Sequence, residues 1–216
     1  MPNDGFVRFD PPPPLYVSAF GPRSLDLAAK HGDGLITSVP PDPNAVRAIR
    51  ATIADRCEAH GRDGDRASFP ISTLTTIAVL EPGEAVDSER IRAEVGAFAI
   101  AALHYSYEQY VQFGRRPPEH LADIWGDYVA ELEATPIERR HLRIHIGHNC
   151  WVIPEEERFV TRDLIERSCL VGTADDLRRR IADLDEAGLD QIVLLPPLEA
   201  KDTVIADVAR ELIASG

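Results

Sequence analysis

Short apolar runs and helical segments alternate along the first 80 residues, and this alternation constrains the fold more than any other feature. Three runs rich in apolar and β-branched residues, at 15–20, 34–39 and 71–80, predict strands. Between them, 23–32 and 42–63 repeat apolar residues at helical spacing and meet a glycine near their ends. Strands joined through helices run parallel, so the sequence predicts an α/β fold whose strands are covered on both faces.

The pattern changes over 84–135, where apolar residues lie three or four apart and no strand is evident. This spacing is typical of amphipathic helices, so we expect a helical insertion after the third strand. Residues 140–153 favour a loop and a short strand. The alternation of strands and helices then returns: the sequence predicts a capped helix after Thr173, a fourth strand over 191–197 and a closing helix.

The amino terminus has a different character. Four consecutive prolines, Pro11 to Pro14, predict an extended entry over 1–14. We expect 15–216 to form a single domain.

Composition narrows the function classes. The formal net charge of −13 disfavours binding to nucleic acid, which depends on basic side chains that neutralise phosphates. It also disfavours anionic membranes, and no apolar run reaches the length of a membrane span. The three cysteines, Cys57, Cys150 and Cys169, are odd in number and far apart, which fits a reducing compartment. We therefore expect a cytoplasmic protein without a signal peptide.

Two stretches carry a resemblance to a known family. The first is LYVSAFGPRSLDLAAKHGDGLITSV (15–39), and the second is VGTADDLRRRIADLDEAGLDQIVLLPP (171–197). Both resemble the luciferase-like monooxygenase superfamily, in the branch of coenzyme F420-dependent dehydrogenases and methylenetetrahydromethanopterin reductases. The likeness extends over about residues 12–216.

The resemblance implies a (β/α)8 barrel with its active site at the carboxyl ends of the strands. The sequence offers only four strands, so the chain is expected to be the C-terminal portion of such a barrel, with about four βα units and the helical insertion. Three explanations are open: an incomplete polypeptide, a split protein, or a half barrel that stands alone.

The turn after the first strand is the main predicted binding site. A helix N-terminus offers unpaired N–H groups and partial positive charge, which suit a phosphate. In the family this turn binds the phosphate-bearing tail of the cofactor, and the resemblance carries that role to Ala19, Phe20, Gly21, Arg23 and Ser24. The alternative is a plain turn in which glycine provides the geometry and serine the helix cap.

Two further residues are predicted to face substrate. Ser38, at the end of the second strand, matches a substrate-facing position of F420-dependent sugar-phosphate dehydrogenases. Those enzymes place a lysine three residues later, where this chain has Pro41, so glucose 6-phosphate is not expected as substrate. Arg167 matches loosely a basic residue that contacts anionic substrates; a surface ion pair with Glu166 or Asp163 is the alternative.

No residue can be assigned as catalytic from the sequence. His145 and His148 are spaced three apart in a segment that looks extended, without a third ligand at a familiar spacing, so no metal site is expected. Either histidine could donate a proton to a substrate oxygen, or be structural. Trp125 and Trp151 are equally compatible with a ligand site and with a core or interface.

The resemblance implies hydride transfer between coenzyme F420 and a small organic substrate. An FMN-dependent monooxygenase is the alternative within the family, and a non-catalytic half-barrel module for binding or assembly is the alternative outside it. Because an open sheet leaves strand edges unpaired, we expect a homo-oligomer or a complementary N-terminal half-barrel chain as partner.

Overall fold

The computed structural model describes residues 10–214, which divide between two compact units. Of these residues, unit 1 comprises 10–74 and 184–192, and unit 2 comprises 75–183 and 193–214. Residues 1–9 of the predicted proline-rich entry lie outside the described residues, while Pro11 to Pro14 are exposed and belong to no helix or strand. Within residues 10–214, no helix combines the length and the apolar character needed to cross a membrane.

Strands and helices alternate through much of the chain. The strands are β1 (Tyr16–Ser18), β2 (Gly34–Thr37), β3 (Ile71–Thr75), β4 (Ile77–Val79), β5 (Leu170–Gly172) and β6 (Gln191–Leu194). The α-helices are α1 (Pro22–His31), α2 (Pro43–Ala59), α3 (Glu89–Phe113), α4 (Ala122–Glu133), α5 (Ile137–Arg143), α6 (Arg162–Ser168), α7 (Ala174–Glu186) and α8 (Lys201–Val208). Short 3-10 segments cover Glu119–Leu121 and Pro154–Phe159, and a π-helical turn covers Ala209–Ile213.

Unit 1 is built on a parallel sheet, as the sequence predicts. The strand order is β1-β2-β3-β6, and β1 and β2 pair in the register Ser18↔Ile36. Helices α1 and α2 start where the sequence directs, because a proline occupies the first helical position of each and Asp42 caps α2 through the Asn44 and Ala45 amides. The packed interior consists of fully buried apolar residues: Ala28, Ala29, Leu35, Val46, Ile53, Cys57, Phe69 and Ile71.

The carboxylate of Asp190 stabilises the edge of unit 1 through hydrogen bonds. Asp190 accepts hydrogen bonds from the Ile71 amide (2.7 Å), Arg50 (2.6 Å) and Arg66 (2.7 Å). Burial alone would raise the pKa of Asp190, but the hydrogen bonds from the Ile71 amide and the two guanidinium groups together lower it by more, so the pKa lies below its ordinary value. This carboxylate therefore joins the start of β3 to the chain just before β6.

Unit 2 combines a two-stranded parallel sheet with most of the helices. Strands β4 and β5 pair in the register Ile77↔Leu170, and a large apolar cluster packs α3, α4 and α6 together. Ser88 caps α3 by accepting from the Ile91 amide at 3.2 Å, and Gly114 ends it in the left-handed conformation. Helices thus occupy much of the segment 84–135. That this segment is an insertion, and that 15–216 form a single domain, stay predictions.

The strand prediction over 71–80 is wrong in one respect. This run is two strands, because β3 pairs with β2 while β4 pairs with β5. The run is buried almost throughout, so nothing in its hydrophobicity reveals the change of partner at Thr76. The count of four strands is therefore also wrong, because β5 adds a further short strand.

The prediction of a loop and short strand over 140–153 is wrong as well. Helix α5 occupies its beginning, and hydrogen-bonded turns follow, including Ile144 N–H to Arg140 O at 2.9 Å. Gly147 and Asn149 both take positive φ angles in these turns. A Cβ on Gly147 would lie 2.4 Å from the Trp151 carbonyl oxygen, so glycine is required at this position.

Candidate functional site

The predicted phosphate-binding turn lies between β1 and α1. Ala19 is buried and its amide donates to the Ile36 carbonyl at 3.0 Å, which continues the sheet pairing by one residue. Phe20 is exposed, and Gly21 forms the N-cap of α1. A Cβ at Gly21 would meet only the Ser24 hydroxyl, at 3.9 Å, so the side of Gly21 where a Cβ would stand is open.

Ser24 holds this turn in shape. Its Oγ accepts from the Phe20 amide (3.3 Å) and the Gly21 amide (3.1 Å), and its hydroxyl donates to the Gly21 carbonyl (3.0 Å). These bonds engage the whole hydroxyl within the turn. Ser24, the third residue of α1, therefore forms part of the helix cap by bonding back to the Gly21 N-cap, and any contribution to ligand binding passes through the shape of the turn.

The start of α1 can nevertheless receive an anion. Pro22 has no N–H group, and the Leu25 amide donates to the Gly21 carbonyl at 2.9 Å. The Arg23 and Ser24 amides occupy the second and third helical positions, where no helix carbonyl can accept from them. The exposed Arg23 side chain adds a positive charge beside them. Two amides, a guanidinium and open space at Gly21 fit a phosphate group.

Ser38 lies at the same edge of the sheet as this turn. It follows directly after β2 and is exposed. Since β1 and β2 are parallel neighbours, Ser38 and the turn both lie at the carboxyl edge of the sheet, where ligands bind in α/β folds. Pro41, in place of a lysine, is half-buried and brings no charge to this edge.

Arg167 lies in unit 2, in the last turn of α6, and is exposed. It precedes β5, which begins three residues later and pairs with β4. Its contact with substrate stays a prediction. The neighbouring Glu166 forms its ion pair with Arg162 at 2.8 Å and not with Arg167.

The two histidines considered as metal ligands or proton donors lie together in the turns after α5. The His145 and His148 rings meet edge to face with centroids 5.4 Å apart. Burial lowers the pKa of His148, and the charges of His104 and His145 lower it further. Across residues 10–214, no group of three or more His, Cys, Asp or Glu side chains is arranged to hold a metal ion.

A buried polar cluster in unit 2 was missed by sequence reasoning. Glu156 is 1% exposed and accepts from Arg143 Nη1 at 2.9 Å, while its other oxygen lies 3.1 Å from His104 Nε2. The His104 ring stacks between Tyr128 and His148, with centroids 6.3 and 6.2 Å away. His104 lies on the buried face of α3, where its spacing suggests only a core position. Glu156 and His104 are almost completely buried, whereas Arg143 is half-buried and His148 is exposed, so the buried Glu156–His104 contact stabilises the structure.

Unit 2 also contains an open cavity of about 790 Å³. Its apolar lining comes from small residues of α3, from the segment after Gly147 and from Pro197 and Ala200, and charged side chains line it as well. Trp151, one of the two tryptophans considered as ligand contacts, lines it and is 54% exposed. The other, Trp125, packs instead against Tyr110 and Tyr128. The lining residues are Asp87, Glu89, Arg92, Ala93, Ala97, Cys150, Trp151, Val152, Glu157, Val160, Pro197, Glu199 and Ala200.

Comparison with known sequences gives a consistent result. The profile of the luciferase-like monooxygenase family matches residues 1–191. A 5,10-methylenetetrahydromethanopterin reductase of Archaeoglobus fulgidus is 24% identical over 201 residues, which are 93% of this chain and 53% of that protein. The chain therefore spans about half the length of this curated relative.

Solved structures agree on the fold. The coenzyme F420-dependent tetrahydromethanopterin reductase from Methanopyrus kandleri superposes with a TM-score of 0.56 at 18% identity, over 94% of this chain and 50% of that one. A riboflavin lyase with modified FMN and riboflavin superposes with a TM-score of 0.55 at 14% identity, over 94% and 42%. At these identities the likeness concerns the fold alone, which is that of luciferase-like α/β enzymes with a parallel sheet.

Proposed function

The chain belongs to the family of luciferase-like monooxygenases. On that premise we propose that it acts, alone or with a partner chain, as an oxidoreductase that moves a hydride between coenzyme F420 and a small organic substrate. The observation that carries the proposal is the start of α1. There, two consecutive amides have no helix acceptor, one of them belongs to the exposed Arg23, and the preceding Gly21 leaves space for a group of Cβ size.

In this proposal the turn binds the phosphate-bearing tail of the cofactor. The Arg23 and Ser24 amides would hold the phosphate and the Arg23 side chain would supply the opposite charge, while Ser24 Oγ keeps the Phe20 and Gly21 amides in place. Bound F420 would supply the carbon that accepts or releases the hydride, while the protein orients it. Ser38, at the same sheet edge, would face the substrate. The absence of a lysine at Pro41 supports a substrate other than a sugar phosphate.

The name of one similar structure, together with a sequence relative of the same reductase type, supports F420 over FMN as the proposed cofactor. The similar sequence from A. fulgidus and the similar structure from M. kandleri are both tetrahydromethanopterin-type reductases, and the second is named as F420-dependent. The FMN-dependent monooxygenase is the second candidate, because the family carries that name and the similar riboflavin lyase holds a modified FMN. Both candidates use the same phosphate-binding turn.

The proposed architecture is about four βα units of a (β/α)8 barrel. Among residues 10–214, β1 is the first strand in the unit 1 sheet and has a strand partner on one edge only, and Leu15 and Tyr16 are exposed. Exposed strand edges with apolar side chains favour pairing with another chain. We therefore propose that a second copy, or a complementary chain carrying the N-terminal half barrel, covers this edge.

Equilibrium titration of the chain with F420 and with FMN tests the proposal. Arg23→Gln is the test variant, and Lys30→Gln, which removes an equal charge from the other end of α1, is the matched control. An arginine bond to phosphate contributes about 1.5–3 kcal/mol, so Arg23→Gln should weaken F420 binding about 10- to 100-fold. Lys30→Gln should change it less than about twofold.

The other outcomes discriminate among the candidates. Tighter binding of FMN than of F420 would support the monooxygenase. Equal F420 affinity in wild type and Arg23→Gln would refute the assignment of the turn. Binding of neither cofactor by the chain, alone or with its partner, would support the non-catalytic binding or assembly module.

A further inference from the structure

The 790 Å³ cavity of unit 2 has the size and composition of a small-molecule site. Pockets that bind small molecules are typically about 300–1,000 Å³ and combine apolar walls with a few polar groups. Its residues all belong to unit 2, and none of them takes part in the turn at α1.

The apolar wall of the cavity follows from small residues on α3. Ala93 and Ala97 face it one helical turn apart. Gly96, between them in sequence, lets Val152 and Val160 approach the helix so closely that a Cβ would contact each at 3.3 Å. The small side chains of α3 thus leave room for the apolar body of a ligand next to the contact of this helix with Val152 and Val160.

The charges at the rim are unbalanced. Four carboxylates line the cavity against a single guanidinium, Arg92, whose Nε donates to the Asp87 carbonyl at 2.9 Å and whose Nη2 lies 3.6 Å from the Asp87 carboxylate. The other three carboxylates, Glu89, Glu157 and Glu199, form no ion pair with any residue of the described chain 10–214. The cavity is therefore suited to a positive ligand.

Trp151 supplies the second element that a cation requires. This residue is 54% exposed although it lines a cavity, and the face of an indole attracts cations more strongly than other aromatic rings. An exposed tryptophan, small apolar residues and unpaired carboxylates together favour a ligand with an apolar body and a positive head.

We infer that this cavity binds an organic cation, such as an amine or a quaternary ammonium compound, with its apolar body against α3 and its charge between Trp151 and the rim carboxylates. This inference does not depend on the function proposed for the turn. Failure of F420 binding would leave it unaffected, and its own failure would leave the turn unaffected.

Three isosteric probes that differ in charge test the inference. Benzyltrimethylammonium is the cation, neopentylbenzene is its neutral isostere, and phenylmethanesulfonate is the anion. Binding is followed by tryptophan fluorescence and by protection of Cys150 from iodoacetamide. Cys150 lines the cavity and is exposed, whereas Cys57 and Cys169 are buried, so alkylation reports on this site.

The cation should bind saturably, at least about tenfold more tightly than the neutral isostere, and should slow Cys150 alkylation. The anion should not compete. Glu157→Gln should weaken binding about two- to fivefold, and the triple Gln variant of Glu89, Glu157 and Glu199 at least about tenfold. Glu155→Gln is the matched control, because Glu155 is exposed in the same 3-10 segment but does not line the cavity.

Four results would overturn the inference. The first is that the cation does not bind saturably, and the second is that the neutral isostere binds with the same affinity as the cation. The third is that the cation binds without protecting Cys150. The fourth is that Glu155→Gln and Glu157→Gln weaken binding equally. Circular dichroism of each variant confirms that a loss of binding is not a loss of folding.

Discussion

Replacing Glu156 with glutamine tests how the buried cluster stabilises unit 2. The substitution keeps the shape of the side chain but removes the negative charge that faces Arg143 at 2.9 Å. Glu156 and His104 are 1% and 3% exposed, so water cannot replace the lost charge around them. Removing one partner of a buried ion pair costs about 3–5 kcal/mol, because the other charge stays buried without compensation.

The structure places the expected cost at the lower end of this range. Arg143 is 14% exposed, and Glu131 lies 4.0 Å from its second terminal nitrogen, so some compensation persists. We expect a loss of about 3 kcal/mol, a large part of the stability of a typical domain. With a urea dependence of about 1–3 kcal/mol per molar, the unfolding midpoint should fall by about 1–3 M.

Urea unfolding followed by tryptophan fluorescence measures this loss. Both tryptophans, Trp125 and Trp151, belong to unit 2, so their emission reports on the unit that contains Glu156. Glu155→Gln, at an exposed position beside it, is the control and should change stability by less than about 0.5 kcal/mol.

A double-mutant cycle identifies the origin of the cost. Arg143→Met combined with Glu156→Gln should be less destabilising than the sum of the single changes by about 1–3 kcal/mol, because the unpaired guanidinium is absent. A loss below about 1 kcal/mol for Glu156→Gln, or strict additivity in the cycle, would refute the reasoning.

Three further predictions concern other parts of the fold. Asp190→Asn should destabilise unit 1 by about 2 kcal/mol, seen as faster hydrogen exchange in β3, because it loses two guanidinium partners; Asp185→Asn, at a side chain 68% exposed, should cost under about 1 kcal/mol. Ser24→Ala should cost about 1 kcal/mol and speed exchange at the start of α1, and unchanged exchange there would contradict its role as cap. Burial first, and then the charge of Arg167, lower the pKa of His120, so the folded state binds fewer protons than the unfolded state. Stability from His120 is therefore present above pH 6.5 and lost as pH falls through its folded pKa, and His120→Gln should flatten this part of the pH dependence.

Local signals account for the parts of the fold that the sequence predicts well. Proline at the first position, Asp42 as cap and glycine after α1 mark helix ends through contacts within a few residues. The parallel pairing of β1, β2 and β3 follows from the alternation of strands and helices. The start of α1 was recognisable for the same reason, because a strand, a turn and a helix N-terminus lie within ten residues.

The misses depend on contacts between distant segments. The change of partner at Thr76 depends on β5, which is almost a hundred residues away in the chain and only three residues long. The partners His104 and Glu156 are 52 positions apart, so their pairing leaves no local signal. Ser24 shows a third limit, since sequence indicates a hydroxyl near the turn but not that the turn itself engages it.

Hydrogen exchange at the start of α1 tests the central claim most directly. The Arg23 and Ser24 amides have no helix acceptor, so they should exchange rapidly in the free protein. Addition of F420 should slow exchange in the peptide spanning 19–25, while a peptide of comparable exposure on α2 should be unchanged. Saturating F420 that leaves the exchange of 19–25 unaltered, or protects only other segments, would contradict the account of this turn as the cofactor phosphate site.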